Sequence, residues 1–151
     1  MAAMSQLYLE DFYVGRRFTS TSHTLHTDQI KAFAGQFDPQ PFHLDEVAAQ
    51  DSFFNGLAAS GWHTAAITMS LLVKSDMLVA GGLIGAGVEV TWPRPTRPGD
   101  TLVVESEVLA VTPSRSRPDR GMITMRIQTK NQNGDVAQDM TCRMLAWRRP
   151  A

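Results

Sequence analysis

A chain of 151 residues with 43% hydrophobic content is long enough to form one domain around its own core without help from a metal or disulfides. Its 14 basic and 15 acidic residues leave a net charge of -1, which excludes the basic excess that nucleic-acid binders use to neutralise phosphates. The single cysteine, Cys142, excludes an internal disulfide and fits a reducing cytoplasm.

Met1 to Glu10 has neither the basic start nor the apolar stretch of a secretory signal, so the protein is expected to stay inside the cell. Arg16 to Leu25, rich in Thr and Phe, reads as a strand. Thr27 then stands as the N-cap of a short helix carrying Ile30, Phe33 and Ala34. Pro39 and Pro41 remove amide donors and push their predecessors toward extended backbone, so Asp38 to His43 is expected to be a rigid loop. Leu44 to Gln50 can form another helical turn.

Ser60 to about Val79 reads as a long helix, apolar on nearly every face, which the rest of the fold must enclose. The longest uncharged stretch, Ser52 to Val73, contains Asn55, Gly56, Ser60, Gly61 and His63, and so reads as a buried element and not a membrane span. Four segments with period-two patterning follow: Leu83 to Trp92, Thr101 to Val111, Met122 to Lys130 and Val136 to Trp147. Turn chemistry joins them at 93–99, 113–121 and Asn133-Gly134, so the sheet should be antiparallel.

This order predicts a single α+β domain over residues 1–151, with an antiparallel sheet wrapped around a long central helix. It resembles the hotdog fold. Such a sheet leaves an edge strand and part of the helix uncovered, and a homodimer, or a higher oligomer of dimers, is the expected way to close them.

Within this frame, Asp38-Pro39-Gln40-Pro41-Phe42-His43 resembles the Asp-x-Asn-Pro-(aliphatic)-His signature of the MaoC-like, (R)-specific enoyl-CoA hydratase family. Phe53 to Gly61 resembles that family's aromatic-led loop, which ends in a Gly at the start of the central helix, and Trp92 to Asp100 resembles its Pro-rich turn. Gln40 stands where the family usually has Asn, Phe42 where it has an aliphatic residue, Phe37 where Gly is common, and Ser60 where His often precedes the Gly.

The resemblance implies reversible hydration of a 2-enoyl-CoA to an (R)-3-hydroxyacyl-CoA, with coenzyme A as part of the substrate and no other cofactor. Asp38 and His43 would share the water, Asp38 as the candidate base and His43 assisting it or donating the proton. A coupled pair titrates as a unit, and the division between them stays open. The spacing itself suits this chemistry, since a proline-stiffened segment fixes two titratable groups in the relation proton transfer needs. Gly61, at a helix N-terminus, is the candidate donor to the enolate oxygen.

Ser60, Phe54, Arg94 and Arg97 are candidate substrate contacts, the arginines toward the coenzyme A phosphates. His63 is expected to be a buried histidine bonded to a carbonyl. His23 and His26 have no companions at ligand spacing, so no metal site is expected. Two other classes of function fit the same pattern: a non-catalytic acyl-thioester-binding protein, suggested by Gln40 and Phe42, and a thioesterase on the same fold.

Overall fold

The computed structural model describes residues 4–151. After a 3-10 turn at Leu9–Asp11 the elements run β1 (Arg17–Thr24), α1 (Thr27–Phe37), α2 (Pro41–Leu44), α3 (Glu46–Gln50), α4 (Gly61–Val73), β2 (Ile84–Thr91), β3 (Thr101–Pro113), β4 (Arg120–Lys130) and β5 (Val136–Trp147). The strands form one antiparallel sheet in the order β1-β3-β4-β5-β2. Its inner face packs on α4, which touches β1, β3 and β5. This is the hotdog arrangement.

Alternation decides which side chains reach the core. Leu102, Val104 and Val108 of β3 and Ile123, Met125 and Ile127 of β4 point inward and are almost fully buried, while Arg126 and Lys130 point outward and pair with Asp139 and Glu105. The β4–β5 connection spans residues 131–135 and is wider than a two-residue hairpin. Asn131 organises it, its Oδ1 accepting from the amides of Asn133 and Asp135, with Gly134 at φ 79°.

Three expectations need correction. Asp38 to His43 is not a continuous loop: α1 runs to Phe37, and Pro41 opens a helical turn that contains His43, because proline is tolerated at the first helical position. The N-cap of α1 is His26, one residue before Thr27. The central helix ends at Val73, with Lys74 as its C-cap, and Val79 instead forms an isolated bridge to Leu7.

Nor is α4 enclosed on all sides. Ile67, Thr68, Leu71 and Leu72 face the core, but Trp62, Met69 and Val73 are exposed at 63%, 45% and 53%. Beside them runs β2, a sheet edge carrying exposed Ile84 and Val88. The opposite edge, β1, is polar from Thr19 to Thr24 and interrupted by a bulge between Thr19 and Ser22.

Candidate active site

The chain turns sharply out of α1 at Asp38, whose φ and ψ of -150° and 68° lie outside the helix region. Its amide still closes the helix on Ala34 O at 2.9 Å. Gln40 then folds back, its Nε2 donating to Asp38 Oδ1 at 2.6 Å, and Pro41 starts α2, whose third residue is His43. Two helix ends thus aim Asp38 and His43 at each other, with His43 Nε2 3.3 Å from Asp38 Oδ2.

His43 is almost completely buried, and its Nδ1 lies 2.6 Å from Ala58 O. A carbonyl can only accept, so Nδ1 carries the proton and Nε2 is the nitrogen presented to Asp38. Phe42 meets the imidazole edge-on with centroids 4.6 Å apart, and Phe54 lies 5.9 Å away, which fixes the ring plane. Whenever Nε2 carries no proton, it and the carboxylate are both acceptors, and one water or hydroxyl can donate to both.

Burial acts to raise the Asp38 pKa, but hydrogen bonds from the Ser60 hydroxyl and the Gln40 amide, with the charge of His43, hold it below the ordinary carboxylate value. The sign of the linkage follows. A carboxyl whose pKa is depressed by folding adds stability above its unfolded value and loses it as pH falls through the folded one. In chemical denaturation, the stability difference between the wild type and Asp38→Asn should therefore move in favour of Asp38→Asn as pH falls below the usual Asp range.

Beside His43 lies a cavity of about 350 Å³ whose walls include Phe54, Gly61, Thr64, Trp92, Arg94 and Thr96. Gly61 opens α4, and its N–H has no acceptor among the described residues, leaving it directed as an orphan helix donor. A side chain there is excluded, since a Cβ would come within 2.7 Å of the Trp92 ring. His43, Phe54, Gly61 and Arg94 are thus brought together, with Asp38 joined to the group through His43.

Ser60 and Arg97 are placed differently. Ser60 is buried as the N-cap of α4, its Oγ accepting from Trp62 N at 3.2 Å, and its hydroxyl serves Asp38. Arg97 lies outside the cavity lining, donating to the carbonyls of Phe54, Gly56 (2.9 Å) and Leu57 (3.2 Å). It braces a loop in which Asn55 and Gly56 take positive φ of 51° and 142°. Arg94 is mostly exposed and 3.7 Å from Asp135.

His63 is buried as expected but not bonded to a carbonyl: its Nδ1 has no partner, and its ring stacks on Phe33 at 4.5 Å. Burial lowers its pKa, with a smaller contribution from His23. Among the described residues no group of three or more His, Cys, Asp and Glu is placed to hold a metal ion. Thr64, Thr96 and Trp92 are site residues that sequence reasoning missed. Trp92 and Thr96 lie within the Pro-rich turn, Trp92 to Asp100, whose resemblance assigns neither a role, and the Thr64 hydroxyl carries no motif.

The family model described as "MaoC like domain" matches residues 13–136. A MaoC-like dehydratase from Rhodospirillum rubrum is 61% identical, superposes with a TM-score of 0.94, and is covered over 99% of its chain by 96% of this one. The (R)-hydratase PhaJ1 from Pseudomonas aeruginosa is 25% identical with a TM-score of 0.75, covering 95% of this chain and 88% of that one. An uncharacterized Bacillus subtilis protein, YdeM, is 38% identical over 127 residues, 82% of this chain and 87% of its own.

Proposed function

The chain belongs to the MaoC-like domain family, whose structurally characterised neighbours include dehydratases and (R)-hydratases, and from that premise we propose that it hydrates 2-enoyl-CoA thioesters to (R)-3-hydroxyacyl-CoA, reversibly. The observation that carries this reading is the 3.3 Å approach of His43 Nε2 to Asp38 Oδ2 beside a cavity lined by Gly61, whose N–H has no acceptor among the described residues.

In this reading the thioester oxygen accepts from Gly61 N–H, where the helix end stabilises the charge that grows as an enolate forms. A water held by Asp38 and His43 attacks C3. One of its protons passes through the pair to C2 on the same face, so that the water adds whole and the pair returns to its starting state. There is no net change of oxidation state, and the proposed reaction calls for no metal or redox cofactor.

Incubation with crotonyl-CoA should remove the enoyl absorbance and form 3-hydroxybutyryl-CoA without free thiol. Thiol release would support a thioesterase instead, and tight binding with no turnover a binding protein.

The functional unit is proposed to be a homodimer, joined along β2 and the open face of α4. Of the two sheet edges, only β2 carries a run of apolar residues beside an exposed apolar helix face, as two copies pairing edge to edge require. Light scattering on the eluting protein should give twice the chain mass, and Val88→Lys should shift it to the monomer. No helix among the described residues is long and apolar enough to cross a membrane, and a cytoplasmic enzyme is proposed on the single free thiol of Cys142.

A further inference from the structure

A buried polar layer crosses the space between α4 and the sheet. Trp92 Nε1–H donates to Gln138 Oε1 at 3.0 Å, and Gln138 Nε2 donates to Thr68 Oγ1 at 3.2 Å. Thr68 spends its own proton on Thr64 O at 2.8 Å, so Thr129, 2.6 Å away, is the donor in their contact. Thr64 Oγ1 in turn meets Thr96 Oγ1 at 3.0 Å. Thr68, Thr129 and Gln138 are completely buried. Every group in the chain from the indole to the helix carbonyl has a partner, and such a satisfied network holds one arrangement.

Two cavities are lined by residues on either side of this layer along α4. On one side is the 350 Å³ space beside His43, to which α4 contributes Gly61 and Thr64 and β2 is followed by Trp92. On the other is an apolar cleft of about 460 Å³. Its walls include Ala65 and Met69 on α4, Val88 on β2, Ile127 on β4 and Met140 on β5, on the face proposed to meet the second copy. Ile127 and Met140 are the inward-facing neighbours of Thr129 and Gln138 in the β-strand alternation. The two cavities share no lining residue. Trp92 lines the cavity beside His43, its ring on the first turn of α4, close enough that a Cβ on Gly61 would meet Cε2 at 2.7 Å.

We infer that Trp92, held in place by Gln138, is the specificity-determining wall of this site, confining the acyl group to the smaller cavity and closing the methionine-lined cleft to it. The substrates are then short-chain 2-enoyl thioesters, an inference that rests on the enoyl thioester reading above. Rotating the indole away would strand Gln138 Oε1 in the interior, so a longer chain cannot displace the wall cheaply. The cleft behind it would suit a hydrocarbon tail, since methionine side chains adapt to irregular apolar shapes. Gln138 touches no reacting atom in this scheme and acts as a positioning residue.

The test compares the full-length protein with Trp92→Ala, Trp92→Phe and Gln138→Met. It measures kcat/KM on crotonyl-CoA and trans-2-decenoyl-CoA, and affinity for the unreactive butyryl-CoA and decanoyl-CoA. The wild type should favour crotonyl-CoA by a hundredfold or more. Trp92→Ala should raise the decenoyl-to-crotonyl ratio at least tenfold, and Trp92→Phe and Gln138→Met should raise it less but in the same direction, which a general loss of structure would not do.

Equal use of both chain lengths by the wild type, or an unchanged ratio in all three variants, overturns the inference. If no enoyl-CoA is hydrated, the hydratase reading falls while the affinities still decide the wall. Preference for butyryl-CoA that reverses in Trp92→Ala supports it, and absent or unselective binding overturns it.

Discussion

Replacing Asp38 with Asn is expected to lower turnover of a 2-enoyl-CoA by about 10³-fold while leaving affinity for a saturated acyl-CoA roughly unchanged. The substitution keeps the size of the side chain and can keep the Gln40 and Ser60 contacts through the amide oxygen, but it removes the charge and the basic lone pairs that face His43 Nε2. Binding should survive because the substitution leaves the side chains that line the cavity in place. Steady-state kinetics together with calorimetric binding separates the two effects. A uniform loss of both would mean that Asp38 serves the fold and not the reaction.

The second large effect falls on a residue without a direct place in the chemistry. Arg97→Met keeps the aliphatic stem and removes the guanidinium that donates to Phe54, Gly56 and Leu57. Charged donors to backbone carbonyls are worth more than neutral ones, and the loop they hold contains positive φ at Asn55 and Gly56, so the loss should be about 3 kcal/mol. For a domain of this size that lowers Tm by roughly 10 °C, which calorimetry would register. Because the loop carries Phe54 against His43, turnover should fall with it. Unchanged stability would mean that the three contacts contribute nothing net.

These two residues illustrate how far the sequence could be read. The Asp38 to His43 spacing was legible because prolines leave few backbone paths between two titratable side chains. The path taken was not. Proline in sequence argues against helix, whereas at Pro41 it occupies the first helical position, where a missing amide costs no intrahelical hydrogen bond, and that turn delivers the imidazole to Asp38. In sequence Arg97 offers only its charge. The carbonyls that claim it lie about forty residues earlier in the chain, and such a pairing has no local signature.

The open face of α4 has a similar cause. An apolar helix demands cover, but the sequence does not say whether the cover comes from its own chain or a second copy, and here Trp62, Met69 and Val73 are left uncovered. Ser60 looked like a substrate contact from its place beside Gly61, yet helix capping and Asp38 use its hydroxyl. Gln138 did carry a usable signal. It shares the inward register of Met140, Cys142 and Met144, and a polar side chain at such a position must find buried partners, here Trp92 and Thr68.

The most direct test of the proposed chemistry is a crystal structure of the protein with a bound 3-hydroxyacyl-CoA product. The expected result places the C3 hydroxyl within hydrogen-bonding distance of both Asp38 and His43 Nε2, with the thioester oxygen on Gly61 N–H and the acyl end against Trp92. A thioester carbonyl bound away from Gly61, or a C3 hydroxyl out of reach of both side chains, would contradict it.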